Sequence, residues 1–311
     1  MTTTTLPSIR ACSRKNRVYV FREFLLETYG SDYLSQGDVV LDIAGGKGDL
    51  SWLLSNADGY RSIVVDPRPT QHQHVLRSID YLRKHPDEAA LRAIRNQPTH
   101  QPLATLLPEL PTDEFQTPRH FPIWVDENLV QAVQAAQKGN QVEWELYWAR
   151  AMAAFIDNNT DLSPAPPQNS SVTDPKEAWD LIQKCKLIAA FHPDQATDFC
   201  FELAELLNIP FCVVPCCVFP AQFPHRKLID GTRVRDYSGL LSYLTQKYPN
   251  AQKAQLAFHE TAKARNLVLF SVLPLQQERQ NPKRNYAEHE DSPASLLTLS
   301  HCVPTSDTTN R

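Results

Sequence analysis

Two acidic residues, each closing an apolar run, and the glycines between them are the residues of this chain best suited to chemistry. The run Val39, Val40, Leu41 leads into Asp42, and Ala44, Gly45, Gly46, Lys47 and Gly48 follow at once. An apolar, largely β-branched run of this kind predicts a parallel strand covered on both faces. Glycines accept positive φ and let a backbone approach a ligand, whose polar groups would meet free amides at the start of a helix from Asp49. A second run, residues 62–65, ends in Asp66. Its position, about 20 residues beyond the glycines, suits a carboxylate that accepts both hydroxyls of a ribose. Pro67 and Pro69 argue against an immediate helix there, and so against a simple helix cap. The chemistry implied is the holding of a nucleotide-like cofactor.

Spacing narrows which cofactor. A dinucleotide fingerprint wants G-x-G-x-x-G, but from Gly46 the last position is Ser51, which disfavours a nicotinamide oxidoreductase. A phosphate loop needs Ser or Thr after its lysine, whereas Gly48 follows Lys47. The stretch resembles motif I of the class I S-adenosyl-L-methionine (SAM) dependent methyltransferases, Asp/Glu-x-Gly-x-Gly-x-Gly. Asp42, Gly46 and Gly48 carry it, with Ala44 where the first glycine usually stands and Gly45 beside it. The resemblance implies SAM as cofactor, held by Asp42, Ala44, Gly45, Gly46 and Gly48, with Asp66 on its ribose. Asp126, after a third apolar run at 121–125, would lie near the adenine.

A second group of reactive residues follows two later runs. Residues 186–191 lead into His192, Pro193, Asp194, Gln195, Ala196, Thr197 and Asp198; residues 211–214 lead into Pro215, Cys216 and Cys217. Ligands of open α/β sheets bind outside the carboxyl ends of such strands. Methyl transfer from a sulfonium is an in-line displacement, so the protein must position two partners and, for a hydroxyl or amide acceptor, remove a proton. His192 or Asp194 is the candidate base, the alternative being that Asp194 caps the next helix and His192 packs beneath it. Cys216 and Cys217 admit three readings: a nucleophile that adds to a pyrimidine ring, a metal ligand, or a small buried shape at the site floor. Neither Cys200, Cys212 and Cys216 nor the nearby His225 makes a recognised zinc pattern, so no metal is expected.

The histidine followed by Ala-Thr-Asp, with Val-Pro-Cys-Cys after the fifth strand, resembles one subgroup of SAM-dependent methyltransferases. That subgroup includes enzymes and suspected enzymes of tRNA modification, and the similarity covers residues 18–272. Against its His-Ala-Cys-Asp form, Asp194 stands at the cysteine and Gln195 at the aspartate. The Asn/Asp-Pro-Pro-Tyr mark of amine methylation is not seen. The resemblance implies RNA, tRNA-like, as acceptor and partner. A catalytically inactive RNA-binding or scaffold protein on the same fold is the alternative.

These residues need elements to hold them. The chain has 311 residues, 42% of them apolar, enough for a full core in one domain. Its net charge of −4 makes no demand for nucleic acid, although a local basic face remains compatible with it. No run approaches the roughly 20 apolar residues that span a bilayer. Seven cysteines without a signal peptide predict reduced thiols and an intracellular, cytoplasmic protein. The threonine-rich, basic opening makes an organelle the alternative destination. Helices are expected at 18–29, 71–97 (one helix or two, interrupted near His85 and Pro86), 130–156, 176–185, 197–207 and 237–247, alternating with strands at 39–41 closed by Asp42, 62–65, 121–125, 186–191 and 211–214. Runs at 254–260 and 266–272 predict a closing hairpin. This alternation predicts an α/β fold, a doubly wound parallel sheet. The methyltransferase resemblance makes it Rossmann-like, with an antiparallel terminal hairpin. Trp144, Tyr147, Trp148 and Phe155 predict a core stripe, or else a lid or base-stacking surface. The loop 219–235, with Phe223, His225, Arg226, Arg233 and Arg235, reads as a solvated loop or a phosphate contact. Residues 1–16 and 274–311 read as disordered tails and 158–175 as a loop insertion in the domain 17–273.

Overall fold

The computed structural model describes residues 17–35, 39–87, 109–110, 114–159, 171–256 and 265–272. The proposed tails, residues 88–97 of the second expected helix and most of the loop insertion lie outside these residues. In chain order the elements are α1 (Arg17–Ser35), β1 (Val39–Ile43), α2 (Asp49–Asn56), β2 (Ser62–Val65), α3 (Gln73–Lys84), β3 (Arg119–Phe121), α4 (Glu127–Gln137), α5 (Gln141–Asn159) and α6 (Pro175–Gln183). Then come β4 (Cys185–Phe191), a 3₁₀ turn (Asp194–Ala196), α7 (Thr197–Leu207), β5 (Phe211–Val214), α8 (Tyr237–Lys247), β6 (Gln252–Gln255) and β7 (Leu267–Phe270). The fold is α/β, built on one mixed seven-stranded sheet of order β3-β2-β1-β4-β5-β7-β6. Strands β1 to β5 run parallel, and β7 lies antiparallel between β5 and β6. The closing hairpin is therefore present, with β6 starting earlier than expected, at Gln252, and residues 257–260 of its expected run lying outside the described residues.

Alternation along the strands divides the core into two layers. Leu41, Ile43, Ile188, Ala190, Phe211 and Val213 face one side with residues of α4 to α8. Val40, Leu187, Ala189, Cys212 and Val214 face the other with α1 and α2. Period-2 side chains on a strand buried on both faces produce this division without any polar face. Helix α1 is tied down by Tyr29, whose hydroxyl donates to the carbonyls of Phe211 at 2.9 Å and Ser271 at 3.0 Å. Gly30, at φ 74°, then bends the helix.

Two expectations change for backbone reasons. The third strand stops at Phe121 because Pro122 has no N–H to continue the ladder, so the run to Val125 is not a strand. The expected helix 130–156 is two helices, α4 and α5, separated at Gly139, whose φ of 89° a helix excludes. Trp144 and Trp148 are core residues, 1% and 0% exposed. Their indole nitrogens donate to the Pro175 carbonyl at 2.7 Å and the Thr173 carbonyl at 3.1 Å, so the stripe fastens the segment before α6 rather than forming a lid. Among the described residues no helix is long and apolar enough to cross a membrane.

The loop after β5 is pinned to α7 by a buried ion pair. Arg226 Nε donates to Asp198 Oδ2 at 2.6 Å, Nη1 donates to the Val218 carbonyl at 2.6 Å, and the guanidinium lies 3.8 Å from the Phe223 ring. Both charged side chains are nearly inaccessible. Removing one partner of such a pair leaves an uncompensated buried charge. Asp198→Ala is therefore expected to cost about 3–5 kcal/mol of stability, read as a lowered urea midpoint with an unchanged slope.

Candidate functional site

The carboxyl ends of β2, β1, β4 and β5 lie side by side, because these strands are parallel neighbours. Between β1 and β4 the strand order reverses, and at such a switch the connections leave in opposite directions and open a crevice. The glycine turn after β1 and the His192 and Cys216 segments after β4 and β5 therefore meet at one edge.

The glycines of the turn do three different jobs. A Cβ on Gly45 would stand 2.6 Å from the Asp42 carboxylate, so this glycine permits close packing on the strand end. A Cβ on Gly48, at φ 79°, would meet the His72 ring at 2.8 Å and Val64 at 2.9 Å. Gly46 alone of the three faces outward, and there a Cβ would meet the Arg68 guanidinium at 3.6 Å. Ala44 holds φ 54°, the left-handed region that costs a residue with a Cβ.

Asp66, 1% exposed, closes the turn. Its Oδ2 accepts the Gly46 amide at 2.9 Å and Arg68 Nη2 at 3.0 Å; its Oδ1 accepts the Arg68 amide and Nε, both at 2.9 Å. The Arg68 guanidinium is held charged by Asp66 first and by Asp194 besides, although its side chain is 72% exposed. Behind the pair, His120 Nε2 donates to the Asp66 carbonyl at 2.7 Å. His72, which the sequence reading passed over, closes beneath the turn: its amide and that of Gln71 donate to the Lys47 carbonyl, and its Nδ1 donates to the Gly48 carbonyl at 3.0 Å. Burial pushes both rings below the ordinary histidine value, disfavouring their charged form.

Among the described residues no amide of the turn donates to the Asp42 carboxylate. Asp42 is 1% exposed and its Oδ2 accepts the Ser51 hydroxyl at 3.0 Å, which in turn bonds Ser62 at 2.9 Å. Burial raises its pKa to about 7, against the opposing pull of Ser51. Asp126 departs further from expectation. It is the N-cap of α4, its Oδ1 accepting the Leu129 amide at 3.1 Å and its Oδ2 the Asn128 side chain at 3.0 Å. With β3 ending at Phe121, Asp126 is a helix cap rather than a strand-end acid.

After β4 and β5 the structure gathers Asp194, Cys216 and Cys217. Cys216 Sγ donates to Asp194 Oδ1 at 3.1 Å, and the three ligand atoms of the trio lie within 4.8 Å of one another. Asp194 therefore does not cap α7, which has no side-chain cap. Burial, and then the Asp194 carboxylate, push the Cys216 thiol well up, and Cys217 is raised for the same causes. Thiols so placed are protonated, which counts against the nucleophile reading. The clustering instead gives the metal-ligand reading a geometry that sequence spacing had not offered.

His192 packs on Phe191 with ring centroids 4.4 Å apart and donates from Nε2 to the Arg265 carbonyl at 2.7 Å. Nδ1 is thereby the ring's acceptor nitrogen. Burial and then Arg17 push its pKa down, Arg265's carbonyl and Asp194 working against them. Arg17 lies 5.7 Å from the Phe191 ring and Arg265 4.2 Å from that of Tyr237, so the edge is rimmed with cations. His192 and Asp194, at φ 58° and 50°, and Phe219, at 46°, are strained like Ala44. Each such residue costs on the order of 1–3 kcal/mol, and all four follow β1, β4 or β5. Comparison of the chain with protein-family models, with curated proteins and with solved structures found no match to any.

Two substitutions check this geometry. Ala44→Gly relieves a left-handed residue and should stabilise the protein by about 0.5–1 kcal/mol in urea, the opposite of the usual cost of a loop glycine. Asp42 holds its proton more tightly folded than unfolded, so its contribution is full below pH 4 and lost as pH rises to about 7. Asp42→Asn keeps the acceptor and does not titrate, so its advantage over wild type should grow across that window, by at most about 4 kcal/mol.

Proposed function

We propose that this chain is a SAM-dependent methyltransferase on a doubly wound, Rossmann-like sheet, acting on RNA, with a tRNA-like acceptor. The observation that carries the proposal is the pairing of the outward Gly46 with Asp66, its amide 2.9 Å from a carboxylate at the neighbouring strand end. The antiparallel terminal hairpin of β6 and β7, which the resemblance implies, supports it as well.

The residues present fit the cofactor with one adjustment. Asp66 would take the ribose hydroxyls once the Arg68 guanidinium moves off, which its exposure allows, and Gly46 leaves the space above the turn clear of a Cβ. Asp42 would serve indirectly, by shaping the turn through Gly45. Bound there, SAM would supply a sulfonium methyl group for in-line displacement. His192, neutral and with Nδ1 as its acceptor, would take the proton of the RNA group that is methylated. Asp194, oriented by the protonated Cys216, would hold that group in line.

The second reading, a catalytically inactive RNA-binding or scaffold protein on the same fold, is favoured by one observation: Arg68 already satisfies Asp66. Calorimetry with S-adenosylhomocysteine and transfer of labelled methyl to fractionated RNA separate the two. Methyltransferase function predicts binding that weakens roughly 10–100-fold in Asp66→Ala, since hydrogen bonds to a charged acceptor contribute about 1.5–3 kcal/mol. It also predicts binding that tightens in Arg68→Ala, where Asp66 is left open. Equal binding by all three proteins removes the cofactor, and binding without labelled RNA gives the scaffold reading the site.

A further inference from the structure

We propose that the loop between β5 and α8 builds an anion site that takes a backbone phosphate of the acceptor strand. The proposal deepens the reading above and rests on it for the nature of the strand, while the anion chemistry rests on the side chains alone.

The cavity, of about 280 Å³, is lined by Pro220, Phe223, Arg226, Arg233, Val234 and Arg235 among others. Three arginines line one small cavity in a chain whose net charge is negative, one of them paired with Asp198. Two of them, Arg233 and Arg235, are exposed at the rim, and alternate residues of an extended segment fall on the same side. The segment is held in that form by a small hairpin, in which Lys227 pairs with Arg233 and the Val234 amide donates to the Arg226 carbonyl at 3.1 Å. Asp198 balances Arg226, which leaves Arg233 and Arg235, for which no ion pair is found among the described residues. Asp236 is occupied as the N-cap of α8 and Asp230 accepts the Thr232 amide at the hairpin tip.

The third arginine is unlike an ordinary surface cation. Arg226 is 1% exposed, and although Asp198 and the Val218 carbonyl take Nε and Nη1, its Nη2 has no hydrogen-bond partner among the described residues. A buried donor without an acceptor is costly, and a phosphate oxygen offers one. The site also stands beside the proposed chemistry. Val218, whose carbonyl positions Arg226, follows Cys217 directly, and Asp198 lies in the first turn of the helix that follows Asp194. A strand with a phosphate here would place a nearby nucleotide at the Asp194–Cys216 edge. Arginines suit this task because a planar fork gives a phosphate two parallel bonds.

Fluorescence anisotropy of a labelled twelve-nucleotide single-stranded RNA on the full chain, over a range of salt, tests the proposal. The double variant Arg233→Gln/Arg235→Gln alters two exposed residues and so leaves folding intact. It should weaken RNA binding at least tenfold and reduce the salt slope by about 1.4, two contacts' share for a single strand. The control Lys138→Gln/Lys176→Gln removes the same charge from exposed positions of the α4 end and α6 and should change neither. An equal loss in both double variants, or an unchanged slope in the arginine variant, overturns the site. Uridine monophosphate is the second probe: if it binds as tightly as the RNA, the cavity serves a free phosphate ester and not a strand, and the proposal falls. S-adenosylhomocysteine binding is measured on the same proteins. Retained cofactor binding with no arginine effect sinks this site alone, whereas an arginine effect without cofactor binding sinks the methyltransferase reading alone.

Discussion

The Asp66 carboxylate joins two strand ends that sequence keeps apart. One oxygen holds the amide of Gly46 in the turn after β1, and both hold Arg68 in the segment after β2. A charged acceptor buried to 1% would be expensive if left bare, and here each of its oxygens has two donors. The turn keeps its outward face because this bond and the clasp of His72 and Gln71 on Lys47 hold it from two sides. The same arrangement sets a tension at the centre of the molecule. The partner that satisfies Asp66 is a mostly exposed guanidinium, and any ligand that needed those oxygens would have to displace it.

Strain concentrates around that centre. Ala44, His192, Asp194 and Phe219, four of the six such residues outside glycine among the described residues, adopt left-handed backbone in the segments that follow β1, β4 and β5. Strained residues persist where surrounding structure over-determines them, and here the buried layers on the two faces of the sheet and the bond from His192 to Arg265 supply that support. The backbone is bent to aim side chains at the edge. Cys216 meets Asp194 because β4 and β5 are parallel neighbours whose carboxyl ends lie together.

Electrostatics there is local rather than global. The net charge of the chain is −4, yet Arg17, Arg68, Arg265 and the three arginines of the loop after β5 all belong to segments that begin or end at one sheet edge. Asp66, Asp194 and Asp198 sit among them as partners. A crevice with such a rim attracts anions irrespective of the molecule's overall sign.

Much of the frame was legible in the chain itself, because strands buried on both faces leave uninterrupted apolar runs. Residues 62–65, 211–214 and 237–247 took the bounds that pattern implied, whereas β1 runs on past Asp42 to Ile43. The pattern failed where one backbone property outweighed it: Pro122 ended the third strand, and Gly139 divided a helix whose side chains looked continuous. Residue types also pointed to Asp66, Gly46, His192, Asp194 and the paired cysteines before any coordinates. Roles were another matter. That Asp42 bonds Ser51, that Asp126 caps α4, that Asp194 reaches Cys216 and that Arg68 covers Asp66 depend on contacts between separate segments. Side-chain periodicity reports which face is buried, and it carries no record of which atom across the sheet edge a carboxylate will meet.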